Sequence, residues 1–181
     1  MRVIAGELKG RRIAAPKGLT TRPTSDFVRE TAFNLIGPVD DASVIDVFAG
    51  SGALGIEALS RGAAVATLVE RDRRAVEVIR ANLAALGLGS EEARVVQVAA
   101  LTAVGDASAR GDAYDLVLLD PPYRDAPALG RELSEALPTV LSPVARVVTE
   151  SDRRSPLDLD LPVHRERRYG DTLIRIHHHG P

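Results

Sequence analysis

Apolar residues along this chain fall into short continuous runs that end at polar or glycine-rich turns. Val44-Ile45-Asp46-Val47, Val65-Ala66-Thr67-Leu68-Val69, Val95-Val96-Gln97-Val98 and Leu116-Val117-Leu118-Leu119 are of this kind. Runs this short, rich in β-branched residues, read as strands covered on both faces, the pattern of a parallel sheet. Between them the apolar spacing becomes helical. Strands are expected at 43–48, 64–70 and 94–98, with a fourth ending at Asp120. Helices are expected at about 53–61 and 73–87, the second stopped by Gly87 and Gly89. A helix at about 126–136 and a strand at about 143–149 continue the alternation. Segments 163–168 and 172–177 read as an antiparallel pair turning at Gly170-Asp171. Upstream, Ser25 or Asp26 can cap a helix from about Phe27 to Ile36, with Phe33 and Ile36 facing inward. Val3-Ile4-Ala5 and Arg11-Arg12-Ile13-Ala14, set off by Gly6 and Gly10, suggest a small N-terminal β-hairpin. Pro16 to Pro23 reads as an irregular connection, and the Ala-rich tract at 99–109 as helix or loop. The alternation predicts an α/β fold: a doubly wound, mostly parallel sheet with helices on both faces and an antiparallel C-terminal hairpin. Two parts follow, an arm and connection at 1–24 and a main domain at 25–181.

The fourth run delivers Asp120-Pro121-Pro122-Tyr123 to a strand's C-terminal end, where open α/β sheets place their ligands. Two prolines fix φ and remove two N–H donors. The turn therefore offers the Asp120 carboxylate, the Pro121 carbonyl and an aromatic ring, with no backbone donor between them. Two acceptors and a stacking face suit a planar base that carries an exocyclic amine. Accepting both N–H bonds pulls the nitrogen toward pyramidal geometry and localises its lone pair for attack. The structural alternative is a Pro-rich turn capped by Asp120.

The first run leads into Gly50-x-Gly52-x-x-Gly55, the spacing of a nucleotide-binding turn that opens a helix. Glycines permit close backbone approach to a ligand, and helix N-terminal amides then face it. Glu70 ends the next strand and could accept both ribose hydroxyls of an adenosyl group. Asp46 lies at the turn itself, where a carboxylate would attract an ammonium and repel a pyrophosphate. The pair argues for S-adenosylmethionine over a nicotinamide dinucleotide. A buried carboxylate satisfied by turn amides is a compatible reading of Asp46.

Composition changes the picture in three ways. The chain has 181 residues and no cysteine, so one core is expected and neither disulfides nor a thiol nucleophile can be invoked. Its four histidines lack metal-site spacing, no metal is expected, and His177-His178-His179 receives no function. No apolar stretch approaches membrane length and no signal-peptide core is present, so a cytoplasmic location is expected. Net charge is −2, yet residues 1–29 hold seven Lys/Arg against two Asp/Glu. A basic N-terminus, with a smaller cluster at Arg165, Arg167 and Arg168, can form a phosphate track, or it can be a solvated arm.

The glycine turn together with Asp120-Pro121-Pro122-Tyr123 resembles Rossmann-like S-adenosylmethionine-dependent methyltransferases acting on exocyclic amines. Three further segments narrow the resemblance to the bacterial 16S ribosomal RNA guanine-N2 methyltransferase family. They are Arg2-Val3-Ile4-Ala5-Gly6 with Gly10-Arg11-Arg12-Ile13, then Arg22-Pro23-Thr24-Ser25-Asp26-Phe27-Val28-Arg29-Glu30 with Phe33-Asn34, and Tyr169-Gly170-Asp171-Thr172. The similarity spans nearly the whole chain. It implies methyl transfer to N2 of a guanine in the assembled or assembling small ribosomal subunit, by an enzyme expected to be monomeric. The implied catalytic residues are Asp120, Pro121, Pro122 and Tyr123. The implied cofactor contacts are Thr24, Asp46, Phe48, Ala49, Gly50, Ser51, Gly52, Glu70 and Arg71. The implied RNA contacts are Arg2, Lys9, Arg11, Arg12, Arg22 and Arg29. The chain departs from the family at Ala99-Ala100, where an Asp or Asn often lies beside adenine, and at Phe27, where an arginine is frequent. The tetrad alone accepts any exocyclic amine, so adenine-N6 methylation of DNA or RNA is the alternative within the same chemistry. A nicotinamide-dependent oxidoreductase or a non-catalytic nucleotide-binding domain would use only the glycine turn and leave the tetrad unexplained.

Overall fold

The computed structural model describes residues 1–16, 26–122 and 125–180. Tyr123, Thr24 and Arg22, assigned above to catalysis, cofactor and RNA, lie outside the described residues.

Helix α1 (Asp26–Ile36) is followed by β1 (Ser43–Asp46), α2 (Ala53–Ser60), β2 (Val65–Val69), α3 (Arg73–Leu86) and β3 (Ala93–Val96). Helix α4 (Ala100–Arg110), β4 (Tyr114–Leu119), α5 (Ala126–Ala136), a 3-10 turn at Leu137–Val140, β5 (Leu141–Asp152), β6 (Val163–Tyr169) and β7 (Thr172–His178) complete the chain. One seven-stranded sheet runs in the order β3-β2-β1-β4-β5-β7-β6. β1 to β5 pair in parallel, while β7 is antiparallel to both β5 and β6. This is the doubly wound sheet with an antiparallel C-terminal pair that the apolar runs predict. Strand order reverses between β1 and β4, the switch point at which such sheets open a crevice.

Each face of the sheet has its own core. Leu116, Val117, Leu118 and Leu119 are all 1% exposed or less, because alternate side chains enter opposite cores. Ile45, Val117 and Leu119 meet Ala103, Val104 and Ala107 of α4 and Leu133 of α5 on one face. Val44, Leu116 and Leu118 meet Val28, Ala32, Phe33 and Ile36 of α1 on the other. The 99–109 tract is thus a helix, ended by Gly111 in the left-handed region at φ 74°. Asp72 caps α3 by accepting the Ala75 N–H at 2.9 Å, and Gly87 ends that helix at φ 77°.

The N-terminal hairpin contracts to a single antiparallel bridge between Arg2 and Arg12. Val3 N–H donates to the Arg11 carbonyl and Gly10 N–H to the Val3 carbonyl, both at 2.9 Å. Longer strands do not form because the backbone of Ile4, Ala5 and Leu8 bonds to α2 instead. Ile4 and Ala5 N–H donate to the Glu57 carboxylate at 2.8 and 3.0 Å, and Leu8 N–H to Ser60 Oγ at 3.0 Å. Gly6, at φ 78°, lies so close to Ser60 that a Cβ there would fall 1.6 Å from its carbonyl oxygen. Val3 and Ile13 join the core of Ile56, Leu68, Ile79 and Leu83. Residues 1–16 therefore form a strap packed on the main domain, and the division drawn at residue 24 falls outside the described residues.

Candidate active site

Asp46 ends β1, and its partner across the ladder on β4 is Leu118, two residues before Asp120. Both carboxylates thus stand at the C-terminal edge on either side of the switch point. Asp46 is fully buried. Its Oδ2 accepts the Gly55 N–H at 3.1 Å, while its Oδ1 has no hydrogen-bond partner. Burial pushes its pKa from 3.8 up to about 7; the negative charges of Asp120 and Glu70 add to the rise, and the Gly55 and Phe48 amides oppose it. A buried carboxylate with an unpartnered oxygen is costly. A cation placed against it would remove that cost.

The glycine turn is stitched to both flanking strands. Val47 N–H donates to the Leu118 carbonyl and Ala49 N–H to the Val69 carbonyl. Gly50 sits at φ 55° with nothing within 4 Å of where a Cβ would stand, so the turn is open on that side. At Gly55 a Cβ would lie 2.2 Å from Leu68 Cδ2, so this glycine serves close helix–strand packing. Glu70 accepts the Gly50 N–H at 2.9 Å through Oε2 and the Asp72 N–H at 2.8 Å through Oε1. Each oxygen retains a lone pair, so Glu70 can still receive ribose hydroxyls while it holds the turn. Phe48 and Ala49 line the turn, and Ser51 and Gly52 are buried at its base. Arg71 reaches across the edge to Asp125 at 3.9 Å. An orphaned buried carboxylate, an open glycine turn and a second acid at the end of the next strand together fit an adenosyl amino acid.

At the other side of the switch point Asp120 is half-buried and Pro121 buried. The Pro122 carbonyl closes the turn by accepting the Asp125 N–H at 2.8 Å, which leaves the acceptor role at the amine to Asp120 and Pro121. Ala99, where the resemblance has an acid or amide, occupies the N-cap of α4 and offers no side-chain hydrogen bond. β3 ends at Val96, two residues earlier than the apolar run suggests.

The assigned RNA contacts separate into two groups. Arg2, Lys9, Arg11 and Arg12 are exposed, although Arg2 pairs with Asp26 at 3.3 Å and Arg11 Nη2 donates to the Ala85 carbonyl at 2.6 Å. Arg29 is a correction: its side chain is fully buried and does not face solvent. Its guanidinium bonds to the Arg2 carbonyl and to Asp26, and lies 3.6 Å from the buried Glu57. Glu57 also receives Arg61 Nε at 2.8 Å. The basic count of the N-terminus includes a charge spent inside the fold, under the strap. Arg29→Ala should therefore lower stability by roughly 2–5 kcal/mol, through the cavity that a fully buried side chain leaves and the loss of its bonds to the Arg2 carbonyl and Asp26, while Glu57 keeps Arg61 and two backbone amides. Denaturant unfolding measures this, and an unchanged midpoint would return Arg29 to the surface role.

Sequence reasoning also missed Asn82 on α3. Its Nδ2 donates to the Ser51 carbonyl at 2.9 Å and to the Ala14 carbonyl at 3.0 Å, and its Oδ1 accepts the Ala14 N–H at 2.8 Å. One buried amide thus joins the glycine turn to the strap. The available signal was a polar residue on the apolar face of α3, between Ile79 and Leu83.

Residues 1–178 match the family described as "Conserved hypothetical protein 95". A Bacillus subtilis protein named "Putative rRNA methyltransferase YlbH" is 38% identical over 187 residues, covering 98% of both chains. The Escherichia coli "Ribosomal RNA small subunit methyltransferase D" is 46% identical over 125 residues, a stretch covering 68% of this chain and 61% of that protein. A solved structure described as "Putative methyltransferase yhhF from Escherichia coli" superposes with a TM-score of 0.82 at 36% identity, covering 99% of this chain and 98% of that one.

Proposed function

The chain belongs to the conserved hypothetical protein 95 family, and from that membership and its site we propose that it transfers a methyl group from S-adenosylmethionine to the exocyclic N2 of a guanine in 16S ribosomal RNA. It is a ribosomal RNA methyltransferase. Its substrate is the assembled or assembling small subunit, and it acts as a monomer in the cytoplasm. The observation that carries the reading is the fully buried Asp46 with one unpartnered oxygen, set across the switch point from Asp120-Pro121-Pro122. A cation site and an amine-accepting site stand at the ends of adjacent strands.

When bound, the donor supplies an already activated methyl on a sulfonium. The chain's own residues do the rest. Asp46 holds the ammonium, and Glu70 receives the ribose hydroxyls while it fixes the glycine turn. Asp120 and the Pro121 carbonyl accept the two amine hydrogens, aligning the nitrogen lone pair on the methyl carbon. Alignment of this kind can be worth ~7–11 kcal/mol. As the C–N bond forms, the C–S bond breaks and leaves a neutral thioether, and the amine's surplus proton leaves to Asp120 or to water. Incubation with methyl-labelled S-adenosylmethionine and small subunits lacking the modification should yield N2-methylguanosine on nucleoside analysis. Label in N6-methyladenosine would transfer the assignment to the adenine reading, and binding of NAD without transfer would remove both.

Among the described residues Lys9 and Arg12 are the exposed strap cations whose side chains make no hydrogen bond or ion pair within the chain. Replacing both with alanine should raise KM for the ribosomal substrate and leave cofactor affinity unchanged. The log–log salt dependence of binding should become shallower by about 0.7–0.9 per lost phosphate contact. A folded double variant with the same KM and slope would make the strap a solvated element.

A further inference from the structure

Four carboxylates occupy the C-terminal rim of the sheet, one on each of four adjacent strands. In sheet order they are Glu70 after β2, Asp46 on β1, Asp120 after β4 and Glu150 on β5. The first three have roles above, and Glu150 has none. It is 6% exposed. Leu119 pairs with Thr149, so Glu150 stands one step on, level with Asp120 on the neighbouring strand. Strand alternation puts Glu150 on the face of Val148, and Asp120 on the face of Leu118. Both apolar residues belong to the α1-side core, so the two acids share a face. Glu150 lines a small cavity there with Ala32, Leu54, Leu118 and Ile174. Among the described residues no three acids or histidines converge as a metal site, so the row is not a cation cage. Asp46's unpartnered oxygen leaves the rim with an acceptor that a ligand can fill.

We propose that Glu150 accepts the N1–H of the target base and so selects guanine over adenine; this rests on the reading given under "Proposed function". In guanine the N2 amine is flanked by N1–H, a second donor on the same edge. In adenine the N6 amine is flanked by N1, which carries a lone pair. Asp120 and Pro121 accept from either amine and cannot tell the two bases apart. A second carboxylate one strand away, about 4.8 Å across the sheet, lies within a glutamate's reach of the neighbouring ring nitrogen. It attracts the guanine edge and repels the adenine edge. Each carboxylate oxygen has two lone pairs, so Glu150 can keep its present interactions while accepting the base.

The test places 2-aminopurine at the guanine that becomes labelled, in reconstituted small subunits. This base keeps the 2-amino group but presents a lone pair at N1. Wild-type enzyme should favour guanine by at least about 100-fold in kcat/KM, since sites built to bond a donor strongly reject analogues lacking it. E150Q can turn its amide donor to N1, and the ratio should narrow by about tenfold or more with S-adenosylhomocysteine affinity unchanged. Loss of O6 is common to both enzymes, so the change in ratio isolates the N1 edge. An unchanged ratio in folded E150Q overturns the proposal. Parity between the two bases with wild-type enzyme overturns it whether or not E150Q folds. A wild-type enzyme that labels no guanine removes the function assignment itself, and the role of Glu150 with it.

Discussion

Asp120→Ala should lower kcat for methyl transfer by about 10²–10³, the scale of losing one polar group aimed at the reacting centre. Its melting temperature and its affinity for S-adenosylhomocysteine should stay close to wild type. The separation follows from position. Asp120 is half-buried just beyond β4, whereas the strand is anchored by Leu116 to Leu119, so removing the carboxylate opens no cavity in either core. The Asp120 charge also raises the pKa of Asp46, so its loss favours the ionised form of Asp46 and does not weaken the cation site. Single-turnover transfer assays and calorimetric titration measure the two quantities independently. If Asp120→Ala instead unfolds the protein while its folded fraction keeps full specific activity, Asp120 is a turn cap and the amine-accepting role fails.

The second large effect concerns Asp46. Its pKa rises from 3.8 to about 7 on folding, mainly through burial. The unfolded chain therefore ionises first. The contribution to stability is fully present below about pH 4 and is lost as pH rises to about 7, with little further change above. At about 1.4 kcal/mol per pKa unit, the loss amounts to a few kcal/mol. Ligand binding should run the opposite way. An ammonium requires the carboxylate, so affinity for S-adenosylhomocysteine should fall about tenfold per pH unit below 7 and level off above it. Binding at pH 6 should release close to one proton, readable by calorimetry in buffers of different ionisation enthalpy. Asp46→Asn should melt higher than wild type at pH 8 yet bind the ligand far more weakly. A pH-independent affinity with no proton release would remove Asp46 from the ammonium role.

Much of the architecture was legible because it depends on neighbours in sequence. Continuous apolar runs specify strands buried on both faces, and Gly87 marks the end of α3 by local backbone chemistry. The Ala-rich tract was not decidable from period alone. Small residues carry little hydrophobic signal, and α4 is held by Ala103, Val104 and Ala107 packing on a core supplied by other elements. The N-terminal hairpin was over-read because Ile4, Ala5 and Leu8 find better partners in Glu57 and Ser60 than in one another.

For the site, the sequence by itself determined the stiff Asp120-Pro121-Pro122 turn, the glycine turn and the acids that follow the strands, since each is local chemistry at a strand end. Only the tertiary structure decided which charges face water and which are buried against each other. Arg29 sits in a basic stretch but is buried against a backbone carbonyl 27 residues away, so it holds the strap and does not face solvent. Asn82 joins Ala14, 68 positions distant, to the turn at Ser51. Asp46 acquires its raised pKa, and Glu150 its place beside Asp120, from strand order and register. These are set when distant apolar runs pack into one sheet, and a linear pattern does not contain the dielectric or the neighbours that packing creates.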